Sequence, residues 1–179
     1  MGGGSKADMK LRADEHFSAL RQIIPSVKRL MLFDFDEAEG AFQPPANNPV
    51  LFEWKRKNIE NYLLVPEAWR RAALLKLRLA ADDLFAQSSL ALINGFFDDE
   101  NLTLPKGKSW RTVSANVFAV VDGKRLLFEN TNSLFQRLKS HEPSLQIIRE
   151  ELASTMLADE IHNDVHDFIG KLKSMLGTI

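Results

Sequence analysis

The chain contains no cysteine. That excludes disulfides, thiolate zinc sites, iron–sulfur clusters and a cysteine nucleophile, and it fits a reducing cytoplasm. It also has almost no net charge: 23 Lys+Arg stand against 24 Asp+Glu, a formal balance of -1. No global field therefore draws the molecule onto nucleic acid or an anionic membrane, and a polyanion would have to be held by a local patch or through bound metal. No stretch reaches the roughly 18–20 consecutive apolar residues of a membrane span. Met1 is followed by Gly2, Gly3, Gly4 and Ser5 and then by a charged stretch, not by the apolar region of a signal peptide. A soluble, intracellular protein without a membrane partner is expected. The 179 residues are 45% hydrophobic and 26% charged, the composition of a folding chain, and this length suits one domain over residues 1–179.

Periodicity divides the chain into short elements. Residues 6–24 repeat Phe17, Leu20 and Ile24 at helical spacing and stop at Pro25. The apolar run Arg29-Leu30-Met31-Leu32-Phe33 is too short for a helix and reads as a buried strand. Val50-Leu51-Phe52 reads as a second strand, beyond a Pro- and Gly-bearing loop over 37–49. Trp69, Ala72, Ala73, Leu77, Ala80, Ala81 and Leu84 predict one long helix from Pro66 to about Phe85, and a second over 86–97 that ends near Gly95. Residues 98–109 read as a loop, and 110–121 stay open between helix and strand. Helices are expected over 124–139, over 144–157 with Ser144 as its cap, and over about 161–176. The fold class is α/β, helix-rich, with a small, mainly parallel sheet and a helical C-terminal half.

Two segments carry chemistry. Asp34 and Asp36 follow the first strand at i and i+2, so an extended backbone presents both carboxylates on one face, where a hard divalent cation would relieve their repulsion. The plain alternative is a solvated acidic turn. The second segment is Glu53-Trp54-Lys55-Arg56-Lys57-Asn58-Ile59-Glu60-Asn61-Tyr62-Leu63-Leu64. Three adjacent cations suit a phosphate contact, or simply a solvated helix end. Ile59, Leu63 and Tyr62 would pin Glu60 near the core, where it needs a partner, either a metal or an Arg or Lys.

Together these residues resemble the carboxyl-terminal Toprim region of the overcoming-lysogenization-defect (OLD) family of ATPase-linked nucleases. There a strand-borne aspartate pair is followed by an Arg/Lys-x-x-Ile-Glu-Asn-Tyr-Leu segment. The likeness covers Arg29 to about Trp69 and thins to Gly123-Lys124-Arg125-Leu126-Leu127, which is similar to the family's Gly-Lys before a helix. It implies a partial Toprim-like fold, with about 6–65 as its core and 66–179 as a mainly helical extension. It further implies a DNA endonuclease dependent on Mg²⁺ or Mn²⁺. On this resemblance the metal carboxylates fall on Asp34, Asp36, Glu39 and Glu60, with Glu60 also a catalytic acid. Lys124 becomes the cation that steadies charge on the phosphate, while Lys55, Arg56 and Lys57 meet the DNA backbone. Without the resemblance, Lys124 is an exposed lysine beside a turn.

One departure stands out. Toprim domains carry a glutamate on an earlier strand, and only Met1–Ser5 precede the first helix here. The expectation is a piece of a larger protein, or a half-site completed by another subunit such as a second copy in a homodimer. The family's ATPase is likewise expected on another domain or subunit: Gly107-Lys108-Ser109 has Leu102 where a phosphate-binding loop requires glycine. A docking or regulatory module that has lost cleavage is the non-enzymatic alternative. A haloacid-dehalogenase-like phosphatase ranks lower, because Glu37-Ala38 replaces the Gly-Thr that should follow Phe33-Asp34-Phe35-Asp36. His162 and His166 read as a surface pair, lacking the glutamate of a zincin helix.

Overall fold

The computed structural model describes residues 6–35 and 50–177. The chain forms two compact units. One comprises the residues up to Lys55 together with those from Asp164 onward, and the other is the continuous segment Arg56–Asn163.

The first unit contains α1 (Lys6–Ile23), β1 (Met31–Phe33), β2 (Leu51–Glu53) and nearly all of α7 (Asn163–Leu176). The two strands pair in parallel, with Met31 opposite Leu51 and Phe33 opposite Glu53. This is the small parallel sheet of an otherwise helical α/β chain. Its packing centre is aromatic: the rings of Phe52, Trp54 and Phe168 lie 5.1 to 5.3 Å apart, edge-on or tilted. Asp164, buried near the start of α7, accepts the Lys55 backbone N–H at 2.9 Å and the Lys55 ammonium at 2.7 Å. Lys6 is the one buried residue of α1, and it pairs with Glu53 at the end of β2. Met9, Leu11, Leu20 and Ile23 remain exposed along α1.

The second unit is built from α2 (Pro66–Leu77), α3 (Leu84–Asp99), the single turn α4 (Asn116–Val120), α5 (Leu134–His141) and α6 (Arg149–Thr155). A 3-10 turn at Ile59–Leu63 and a π-helical turn at Arg125–Glu129 complete it. α2 packs on α3 and α6, and α3 packs on α5. Trp69, Phe96, Phe97, Phe118, Leu127, Leu134 and Leu152 lie in one continuous core. The Trp69 indole N–H donates to the Leu63 carbonyl at 3.0 Å, so the largest buried side chain leaves no unsatisfied donor. Thr155 donates from α6 to the Ala68 carbonyl in α2 at 3.1 Å, and Arg71 pairs with Glu160.

Several boundaries differ from the sequence expectation. The long helix expected over 66–85 ends at Leu77. Arg78 turns left-handed at φ 58°, its N–H closing on the Leu74 and Leu75 carbonyls, and Asp83 starts α3 by accepting the Phe85 N–H. Gly95 does not end α3, which runs on to Asp99. The helix expected over 124–139 is two pieces, because Ser133 caps a separate α5. α6 begins at Arg149 and not near 144. Ser144 bonds to Glu142 in a preceding turn, and the Glu151 carboxylate accepts the Ile148 N–H at the true start. Among the described residues, no helix is long and apolar enough to cross a membrane.

Candidate active site

Burial alternates from Trp54 to Glu60 as the chain bends out of β2 into the 3-10 turn: Trp54, Arg56, Asn58 and Glu60 are inside, and Lys55, Lys57 and Ile59 are outside. The three consecutive cations therefore never share a face. Arg56 is 5% exposed; its guanidinium donates to the Asn61 carbonyl at 2.8 Å and the Val113 carbonyl at 3.1 Å, and it lies over the Tyr62 and Phe118 rings. Lys55 and Lys57 are exposed, Lys55 engaged by Asp164 and Lys57 lying 3.8 Å from Asp122. Of the residues expected to pin Glu60, Tyr62 is buried and Leu63 half-buried, but Ile59 is 53% exposed.

The centre of the arrangement is Asn61, which is fully buried. Its amide donates to the Phe118 carbonyl at 2.9 Å and the Val121 carbonyl at 2.8 Å, and its Oδ1 accepts the Gly123 N–H at 3.0 Å. One side chain thus fixes the turn that leads into Lys124. Gly123 is required at this contact: a Cβ there would stand 2.6 Å from Asn61 Oδ1 and 2.9 Å from Asn61 N. Asn58 adds a second tie, donating to Asp122 at 3.1 Å. Two segments sixty residues apart in sequence are held as one piece.

On either side of Asn61 and Gly123 sit Glu60 and Lys124. Glu60 is buried, and its Oε1 accepts the Arg149 Nε–H at 3.0 Å. The partner that a buried glutamate requires is supplied here by an arginine. Lys124 is exposed and pairs with Glu129 at 3.0 Å. The hydrogen bond and charge of Glu129, followed by the more distant charge of Glu60, hold its ammonium above the ordinary lysine value, while burial and Arg149 oppose them. Arg149 itself lies 4.3 Å from the centre of the Phe128 ring.

Asp34 is exposed just past the end of β1, in the first unit. Asp36 and Glu39 lie outside the described residues. Among the described residues, no group of three or more His, Asp or Glu side chains could hold a metal ion, and one oxygen of Glu60 is committed to Arg149. The described donors do not by themselves make a metal centre. His162 lies tilted against Tyr62, with ring centroids 5.5 Å apart.

Sequence reasoning missed Arg149, Glu129 and the clamp role of Asn61. Asn61 and Gly123 stood inside the quoted motifs, so buried hydrogen bonding was the signal available for them. Arg149 lies in the helix expected over 144–157, but as one charged residue of that pattern it carried no sign of the partner it would meet. Compared with protein-family models, curated proteins and solved structures, the chain has no significant match.

Proposed function

We propose that this chain is part of a cytoplasmic, divalent-metal-dependent endonuclease of the Toprim type, acting on DNA phosphodiesters and working with an ATPase domain or subunit. The observation that carries the reading is the Asn61–Gly123 clamp. The two segments singled out by the resemblance, Ile59-Glu60-Asn61-Tyr62 and Gly123-Lys124, pack together, so a buried carboxylate and an exposed ammonium end up within electrostatic reach of each other. In hydrolysis, Lys124 would offset the charge that builds on the phosphate, and the rigid turn behind it would fix where that charge is met. On the resemblance, Asp34, Asp36, Glu39 and Glu60 would be the carboxylates for Mg²⁺ or Mn²⁺, an ion that neutralises phosphate oxygens. Support for a docking module that has lost cleavage comes from the Arg149–Glu60 pair, which satisfies Glu60 without a metal.

Calorimetric titration of Mn²⁺ into the whole chain, followed by a plasmid-nicking assay, separates the two. The nuclease reading expects Mn²⁺ binding that Asp34→Asn weakens at least about tenfold, and nicking that Lys124→Ala lowers on the order of 100-fold. A wild-type chain that takes up no Mn²⁺ would refute it in favour of the docking module.

A further inference from the structure

Arg149 is a cation that the sequence assigned to nothing, and its surroundings prepare it for an anion. Its Nε–H is spent on Glu60, which is buried and cannot swing away. Its guanidinium plane is laid over Phe128 at 4.3 Å, which restricts the side chain's rotation. Among the described residues, its two terminal amino groups donate to no acceptor, although the side chain is 42% exposed. An arginine anchored through Nε, with both terminal nitrogens left to solvent, is a fork matched to two oxygens of a phosphate.

A second cation stands nearby. Lys124 pairs with Glu129, the neighbour of Phe128 in the same π-helical turn, and Gly123 before it is clamped to Asn61, the neighbour of Glu60. Arg149 and Lys124 are thus fixed to the same two short segments. Each is paired with one carboxylate, which holds both cations in place without a ligand.

We propose that Arg149 and Lys124 form a cradle for a phosphate group of the DNA backbone. The source of the phosphate, though not the cradle, rests on the nuclease reading. A backbone phosphate held here would be positioned without base recognition, as a contact to the sugar-phosphate chain requires.

The test is fluorescence anisotropy of labelled single-stranded and duplex oligonucleotides on the whole chain in EDTA, where no cleavage occurs, with inorganic phosphate and ATP as competitors. Arg149→Lys keeps the charge and a partner for Glu60 but removes the fork. It should weaken DNA binding about tenfold and uniformly across sequences. Arg149→Gln and the exposed Lys124→Gln should each lower the slope of log K against log salt by about 0.7 to 0.9. Glu129→Gln, which releases Lys124, should tighten binding. Unchanged affinity and salt slope in Arg149→Lys and Arg149→Gln, with circular dichroism like the wild type, would overturn the proposal. So would binding of phosphate or ATP without any binding of DNA. If DNA binding falls in these variants while the chain takes up no Mn²⁺, the cradle stands and the nuclease reading fails. The reverse pattern leaves the nuclease and removes the cradle.

Discussion

The two units solve the same problem with different means. The second unit encloses a continuous core in which Trp69, Ile93, Leu127, Leu134, Leu138, Leu145 and Leu152 are all fully buried. The first unit gathers three aromatic rings at a two-stranded sheet of three-residue strands and leaves one face of an eighteen-residue helix largely to solvent. Hydrophobic burial organises one; in the other, ion pairs such as Lys6–Glu53, Arg29–Asp14 and Lys55–Asp164 tie separate segments together. Because the first unit encloses less apolar surface, it should open more readily, and hydrogen exchange should read the difference unit by unit.

The contrast can be broken by placing the same substitution in each unit. Trp69→Ala should cost about 3–5 kcal/mol, measured by urea unfolding, because a fully enclosed indole leaves a cavity that cannot collapse. Trp54→Ala should fall at or below the low end of that range, since its neighbours Phe52 and Phe168 are only half-buried and can move in. Equal losses would mean the two cores are equally tight. Glycine gives a sharper version, with opposite signs. Gly123→Ala forces a methyl group onto Asn61 and should destabilise by about 1–3 kcal/mol. Gly170→Ala, inside α7 with nothing within 4 Å of the added carbon, should stabilise by about 0.4–1 kcal/mol. Differential scanning calorimetry of both variants decides it.

The smallest effect is acid-dependent. Hydrogen bonds from Lys10 and Arg29 hold the Asp14 carboxyl below its ordinary value of 3.8. A carboxyl lowered in the folded state contributes stability that is present above the unfolded value and is lost as pH falls through the folded one. The tie between α1 and Arg29 should therefore persist to below pH 3.8 and then release, followed by carbon NMR of the Asp14 carboxyl. In the second unit, Glu151 is lowered in the same direction by Lys76 and the Ile148 N–H, so α6 should show its own acid release. A titration of Asp14 at or above 3.8 would remove these ion pairs from the account of the first unit.

Much of this was legible beforehand. α1, both strands and α7 follow from period and from short apolar runs bounded by turn residues. What failed to show were breaks that lack glycine or proline. Leu77-Arg78-Leu79-Ala80-Ala81 has strong helix formers throughout, yet Arg78 takes the left-handed conformation and closes α2 with its N–H on the Leu74 and Leu75 carbonyls. Asp83 was the readable sign of a new start, as Ser133 was for α5. At the site, the motifs pointed to Glu60 and Lys124 but not to what holds them. A hydrogen-bond clamp between residues 61 and 123 is a long-range fact that no local window contains. Arg56 turns inward between two exposed lysines because bends at 55–58 carry its guanidinium to the Asn61 and Val113 carbonyls, and three adjacent cations do not announce such bends.

The order of the units along the chain has a consequence for biosynthesis. Arg56–Asn163 is continuous, whereas its companion is assembled from segments on both sides of it. On the ribosome, α1 and the strands emerge first yet must wait for Phe168 and Asp164, which are translated more than a hundred residues later, while the interposed segment already holds all of its own core. The segments before Arg56 are therefore completed later than the unit that follows them in the chain, and their apolar side chains are the ones left for chaperones to shield in the meantime.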